Sequence, residues 1–167
     1  MSSSEETSHE ERNKSIIRSY IDEIFNKHNL SSIERYFGGN AIEGSPQTGK
    51  GGVGSKQFIN EFFRAFPDWR ASIEHIVSEN DLVVVFLNGS GTHRGEFHGI
   101  PPTNKTVNIR TAELYKIENE RITGHWYVMD QLNLLKQTGK LLSEPANGEL
   151  KDARVVWISD FEESEVK

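Results

Sequence analysis

The spacing of apolar residues in this chain changes once, close to Asp68, and this change restricts the possible folds more than any other feature. Before it, apolar side chains recur every three to four positions, as in the row Phe58, Phe62 and Phe66, which is typical of an amphipathic helix. After it, apolar and polar residues alternate, as in residues 71–78, which is typical of a strand. Helices followed by a run of strands predict an α+β fold, with the helices packed on one face of an antiparallel sheet.

Three helices are predicted ahead of the change in spacing. The first opens at Ser8, which forms a capping-box pattern with Glu11, and runs to about His28. The second covers residues 30–37, and the third covers residues 55–66 and ends where a proline follows.

The segment between the second and third helices, residues 38–54, contains seven glycines and one proline. This composition predicts a loop, with one short strand at residues 41–43. The run from Gly49 to Gly54 is similar to a phosphate-binding loop, but it lacks the Walker spacing and the following Lys-Ser/Thr pair. We therefore interpret it as a flexible lid or loop.

The strands form a predicted antiparallel meander, followed by a short helix that closes the domain near Gly139. A nearly continuous apolar run from Leu82 to Leu87 predicts that its strand is covered on both faces. The predicted strands cover residues 71–78, 82–93, 105–117 and 122–130, and the helix covers residues 131–137.

These elements make one domain, which we assign to residues 9–141. Residues 1–8 are polar and are predicted to be disordered. Residues 142–167 form an acidic extension that should be removable without unfolding the domain. Its apolar tetrad, residues 155–158, either adds an edge strand or docks on a partner.

Composition excludes several classes of protein. Nineteen Lys and Arg residues against 25 Asp and Glu residues give a net charge of −6, which argues against a nucleic-acid partner. The absence of cysteine excludes disulfides, thiolate metal sites and cysteine nucleophiles. No apolar run reaches the roughly 20 residues of a membrane helix, and the N-terminus lacks a signal-peptide core. We therefore expect a cytoplasmic protein without membrane contact.

Several segments resemble one known family. Residues 91–103, GTHRGEFHGIPPT, resemble the GTHxGxFxGIPPT segment of the SnoaL-like polyketide cyclases nearly residue for residue. The stretches 66–69 and 80–85, the hairpin at 113–130 and the end at 132–139 are also similar to that family. The resemblance covers about residues 13–139.

This resemblance implies the cone-shaped fold of nuclear transport factor 2 and ketosteroid isomerase. It also implies an enzyme that closes a polyketide ring by an intramolecular aldol step, with no metal and no cofactor, and that forms a homodimer. Two positions depart from the family pattern. Residues 118–120 replace its usual Asp-Gly turn, and Lys116 lies near the place of the histidine that partners its catalytic aspartate.

Asp130 is the first candidate for the general base. An aldol step needs a base and a donor for the enolate, and burial raises the pKa of a carboxyl group toward the working pH. Asp130 ends a strand on the same face as Trp126, by the period of two, and it matches the family's catalytic acid by resemblance. The alternative is that Asp130 caps the helix that follows.

The turn at residues 118–121 pairs Ile117 with Ile122, which makes Glu113 a second candidate. That register places Glu113 opposite Trp126 and on the face of Asp130, where two carboxylates would push their pKa values apart. The alternative is that Glu113 is a surface residue.

Two histidines complete the candidate catalytic set. His125 points to the opposite face unless a bulge intervenes, and it is otherwise a core or dimer-face residue. His93 lies where a strand meets a long loop, either as a donor at the cavity mouth or as a support for that loop. His93, His98 and His125 lack metal-ligand spacing, so we predict no metal site. The sequence contains no Gly-x-Ser-x-Gly motif, so we do not predict a hydrolase triad.

The sequence thus predicts a small cofactor-free cyclase acting on an apolar carbonyl compound. The alternatives are a non-catalytic ligand-binding or interaction module, and an isomerase or dehydratase. The predicted cavity walls are Trp126, Tyr20, Phe25, Phe62 and Tyr115.

The sheet should also carry a second apolar face. Leu114, Tyr127 and Met129 are predicted to lie on it. Because exposed apolar patches usually mark interfaces, we expect a homodimer or homotetramer through this face.

Overall fold

A computed structural model describes residues 3–43 and 51–139 of the chain. These residues form four α-helices and five strands, and a short π segment and a 3₁₀ turn lie between the first two helices. The strands form one curved, open sheet in the order β1-β5-β4-β3-β2. The elements are α1 (Ser3–Tyr20), a π-helical segment (Ile21–Asn26), a 3₁₀ turn (Leu30–Ser32), α2 (Ile33–Tyr36), β1 (Phe37–Glu43), α3 (Gly51–Ala65), β2 (Arg70–Glu79), β3 (Leu82–Thr92), β4 (Thr106–Glu118), β5 (Arg121–Met129) and α4 (Gln131–Thr138). The α+β architecture and the antiparallel meander of β2 to β5 are confirmed.

The structure differs from the predicted elements at three places. The first helix begins at Ser3, so it includes residues that we expected to be disordered and does not open at Ser8. The third begins at Gly51, inside the glycine-rich run that we interpreted as a loop. The segment predicted as a short strand is the longer β1, which pairs in parallel with β5.

Predictions that concern residues 44–50 and 140–167 lie outside the described residues. They include the acidic extension and its apolar tetrad. In the part of the chain that the structure describes, no helix is long and apolar enough to cross a membrane.

A carboxylate on the π-helical segment ties that segment to α2. Both oxygens of Glu23 accept hydrogen bonds from Arg35 at 2.6 Å, and Oε2 also accepts one from the hydroxyl of Tyr36 at 2.6 Å. The hydrogen bond from Tyr36 is the main cause that lowers the pKa of Glu23. These contacts hold the neighbouring Tyr20 and Phe25 against the interior of the fold.

One extra residue in β5 changes which side chains face the interior. Ile117 pairs with Ile122, as predicted, but Lys116 pairs with Gly124, so Thr123 has no opposite residue on β4. Such a bulge moves every later side chain of the strand to the other face. Beyond the turn the predicted register is therefore wrong, and Glu113 lies opposite Tyr127 instead of Trp126.

The indole of Trp69 lies directly on the backbone of β3, and two glycines make room for it. A Cβ atom added to Gly89 would lie 2.0 Å from Cζ2 of Trp69, and one added to Gly91 would lie 2.9 Å from Cε3. Next to the indole, Asp68 accepts hydrogen bonds from the backbone and hydroxyl of Thr92 at 2.7 and 2.6 Å. The bonds from Thr92 lower the pKa of Asp68 and tie this turn to the sheet.

We expect Gly89→Ala to lower the stability of the chain, because the new methyl group must displace the Trp69 ring. Overpacking of this kind costs about 1–3 kcal/mol, and each kcal/mol lowers the melting temperature of a domain this size by about 2–4 °C. Ser90→Ala is the matched control, since residue 90 points to the other face of the strand. Equal melting temperatures for the two variants, followed by circular dichroism, would contradict this account.

Apolar side chains remain exposed on the face of the sheet that lies away from the helices. Phe86 is 48% exposed and Val128 is 70% exposed, and both lie in one row across the sheet through Ala112. Within the described residues, the strand from Leu82 to Leu87 is therefore covered on one face only. The apolar run predicts that the other face is covered as well, and the described residues do not cover it.

The composition of this outer face differs from the one that we predicted. Leu114 does lie on it, opposite Trp126. Tyr127 and Met129 instead face the interior, because the bulge at Thr123 reverses their side. The prediction for these two residues is wrong.

We expect the outer face to hold two copies of the chain together as a homodimer. The variant Phe86→Lys with Val128→Lys should shift the mass measured by light scattering at micromolar concentration to that of a monomer, because two charges would be buried without partners. Gln57→Lys, on an exposed position of α3, should leave the mass unchanged. A monomeric parent chain at this concentration would contradict the expected homodimer.

Candidate active site

The helical layer and the inner face of the sheet enclose a cavity. It contains about 820 Å³ of empty space, its open mouth included. Its apolar walls are Phe25, Phe58, Ile59, Phe62, Trp69, Ala71, Leu87, Gly89, Phe97, Ile109 and Met129. Its polar lining consists of Tyr20, Ser55, Thr111, Glu113, His125 and Tyr127. Few polar groups in an apolar pocket are typical of a small-molecule site.

Glu113 is the acidic residue of this lining, and both of its carboxylate oxygens are hydrogen bonded. Oε1 accepts from the hydroxyl of Thr111 at 3.0 Å. Oε2 accepts from the hydroxyl of Tyr115 and lies 3.3 Å from Nε2 of His125. Burial by itself would raise the pKa of Glu113, but the hydrogen bond and charge of His125, with the two hydroxyls, lower it below its usual value. These donors favour the ionised form of the carboxylate.

His125 is held in place by the carboxylate and by two aromatic rings. Its side chain is 13% exposed, and that of Glu113 is 10% exposed. The imidazole stacks on the Tyr115 ring at 4.6 Å with an interplanar angle of 8°, and on the Tyr127 ring at 5.7 Å and 26°. We predicted that His125 would face inward only if β5 contained a bulge. That bulge is present, and it brings His125 and Glu113 together.

Asp130 lies apart from this pair. Its side chain is exposed, and it accepts a hydrogen bond from the backbone N–H of Asn133 at 3.0 Å, as the N-cap of α4. This is the alternative that the sequence left open, and the bulge explains it, because it moves Asp130 off the face of Glu113. The placement expected for a catalytic Asp130 is therefore not observed.

His93 also lies outside the cavity lining. It is fully buried, it stacks on the Phe66 ring at 5.2 Å, and its Nδ1 lies 3.1 Å from the hydroxyl of Thr103. Its backbone N–H donates to the carbonyl of Lys105. These contacts hold the loop after β3, and burial lowers the pKa of His93.

The predicted cavity walls divide into two groups. Tyr20, Phe25 and Phe62 line the cavity as expected. Trp126 lies on the outer face with Leu114, and Tyr115 is fully buried behind Glu113.

Several residues of the cavity lining were not predicted from the sequence. Thr111 could have been predicted, because the period of two along β4 places Thr111 on the face of Glu113. Tyr127 could not have been predicted, because the face on which it lies depends on the bulge. Phe97 comes from a tight turn in which His98 and Gly99 have positive φ angles, a geometry with no apolar periodicity.

Within residues 3–43 and 51–139, no three His, Asp or Glu side chains lie together as a group that could hold a metal ion.

The cap role of Asp130 predicts how two substitutions differ. Asp130→Ala should lower the free energy of unfolding by about 0.5–2 kcal/mol, whereas Asp130→Asn should change it little, because asparagine caps a helix about as well as aspartate. Urea denaturation of the two variants measures the difference. Equal losses would show that the carboxylate charge, and not the cap, is what matters at this position.

A family model of the SnoaL-like polyketide cyclases matches residues 15–138. No curated protein matches the sequence.

Several solved structures share the fold. One is AclR, a proposed hydroxylase from Streptomyces galilaeus, with 25% identity and a TM-score of 0.70 over 78% of this chain and 97% of its own. A proposed polyketide cyclase from Acidithiobacillus ferrooxidans has 25% identity and a TM-score of 0.69 over 78% and 96%. IdmH, a proposed polyketide cyclase from Streptomyces antibioticus, has 26% identity and a TM-score of 0.66 over 76% and 98%. With the family model matching most of its length, this chain belongs to the SnoaL-like polyketide cyclase family.

Proposed function

We propose that this protein is a cofactor-free enzyme that moves a proton on a small apolar carbonyl compound, with His125 as the acid/base and Glu113 as its partner. The observation that supports this most directly is the Glu113–His125 pair, 3.3 Å apart in a cavity with mainly apolar walls. The family relationship favours an intramolecular aldol cyclisation of a polyketide-like substrate.

Of the two residues, His125 is better suited to take the proton. Glu113 already accepts hydrogen bonds at both oxygens, and its lowered pKa makes it a weak base. An ionised Glu113 accepts from Nε2–H of His125, and in that neutral tautomer the basic lone pair is on Nδ1. A carboxylate that orients a histidine and stabilises its charged form is a common arrangement in acid/base catalysis.

The proposed step balances without a further reactant. His125 removes a proton from the carbon next to one carbonyl, and the resulting enolate attacks a second carbonyl of the same molecule. The new carbon–carbon bond leaves an alkoxide, which takes the proton back from the imidazolium. Tyr127 and Ser55 line the same cavity, and their hydroxyl groups are the proposed hydrogen-bond donors to the enolate oxygen.

The first half of this reaction can be tested without the natural substrate. In deuterated buffer, we expect the parent chain to accelerate deuterium exchange at the α-carbon of 2-tetralone, a flat apolar ketone, as followed by NMR. His125→Gln should slow the exchange by about 10²–10⁴, which is the usual contribution of a general base. Asp130→Asn is the matched control and should exchange at the parent rate, because Asp130 lies outside the cavity.

Two results would contradict the proposal. One is exchange at the parent rate in His125→Gln, provided that this variant keeps the parent melting temperature. The other is a loss of exchange in Asp130→Asn, which would return the role of base to Asp130.

A further inference from the structure

One oxygen of Glu113 is shared between two donors on the same strand pair. Oε2 accepts the hydroxyl hydrogen of Tyr115 and also faces Nε2 of His125. Tyr115 contacts the histidine a second time, since its ring stacks on the imidazole at 4.6 Å. A single buried tyrosine therefore touches both members of the pair without lining the cavity.

We propose that Tyr115 is a positioning residue that tunes how strongly the Glu113–His125 pair holds a proton. This inference rests on the proposed function of that pair. The Tyr115 hydroxyl draws negative charge from the oxygen that His125 faces, so the carboxylate attracts the imidazolium less. The stacked ring fixes the plane of the imidazole, so that the lone pair of Nδ1 keeps one direction.

The surroundings make this effect local. Thr111 also donates to Glu113, but to Oε1, which His125 does not contact. Other titratable groups near the pair are Tyr20 from the helical layer and Tyr127 on β5, and Glu43 is the residue of β1 at the register position beside His125.

The substitution Tyr115→Phe removes the hydroxyl and keeps the stacked ring. Without the competing donor, the charge on Oε2 acts on His125 alone, and the pair binds its proton more tightly. We expect the midpoint of the His125 titration, followed by NMR of the imidazole over roughly pH 4–9, to rise by about one unit. Loss of the same signal in His125→Gln identifies it.

Thr111→Val is the matched comparison, because it also removes one hydroxyl donor from Glu113. It acts on the other oxygen, so its midpoint should move much less than that of Tyr115→Phe. Placed in a Glu113→Gln background, Tyr115→Phe should cause no shift, since the tyrosine acts through the carboxylate. In a Glu43→Gln background the shift should persist.

These measurements do not depend on turnover, so they separate the two proposals. An unmoved or lowered midpoint in Tyr115→Phe, with His125→Gln still inactive, would overturn the role of Tyr115 and leave the proposed function standing. A raised midpoint in Tyr115→Phe, with exchange retained in His125→Gln, would support the role of Tyr115 and overturn the proposed function.

A further measurement on the parent chain covers the case in which Tyr115→Phe does not fold. The hydroxyl proton of Tyr115 should resonate far downfield and move upfield in Glu113→Gln. A proton signal at the ordinary position of a phenol would overturn the proposal.

Discussion

A single unpaired residue in β5, Thr123, decides what the cavity contains. With the regular register, the interior would face Trp126 and Asp130, and His125 would lie on the outer face. With the bulge, the interior faces His125, Tyr127 and Met129. Because the period of a strand is two, there is no intermediate arrangement. The position of the pair and the composition of the outer face all follow from this one insertion.

An ionised carboxylate inside an apolar enclosure is stable here because it is fully hydrogen bonded. Removing a charge from water costs several kcal/mol, and only good geometry with additional hydrogen bonds offsets that cost. Thr111, Tyr115 and His125 provide those bonds. In an enclosure of low polarity the attraction between the carboxylate and a protonated imidazole is stronger than in water, which suits the proton transfer that we propose.

The sequence predicts those parts of the molecule that depend on local periodicity. The aromatic row of α3 follows from the spacing of residues along one element, and the cavity includes Phe62. Glu113 also lines the cavity, but the register by which we placed it there, opposite Trp126, is wrong. The side of His125 does not follow from the alternation, because it depends on the bulge at Thr123. Gly124 is a local signal of that bulge, since a glycine inside a strand often marks one. The parallel strand β1 was also only partly predictable, since its pairing with β5 is a long-range contact. Asp130 shows the limit of a motif, because a residue at the end of a strand and the start of a helix suits a base and a cap equally well.

The place of β1 also bears on the order in which the molecule folds. Two short turns, at residues 80–81 and 119–120, join β2 to β3 and β4 to β5, so these two hairpins can pair soon after they form. Glu113 and His125 meet within the hairpin of β4 and β5. Strand β1 must close a long loop to reach β5, which makes its pairing slow. We therefore expect Glu113 and His125 to come together early, in contact with water, and to be enclosed only when the first strand and the helices arrive. The apolar enclosure of the pair is a property of the finished fold, whereas the contact between Glu113 and His125 needs only one hairpin.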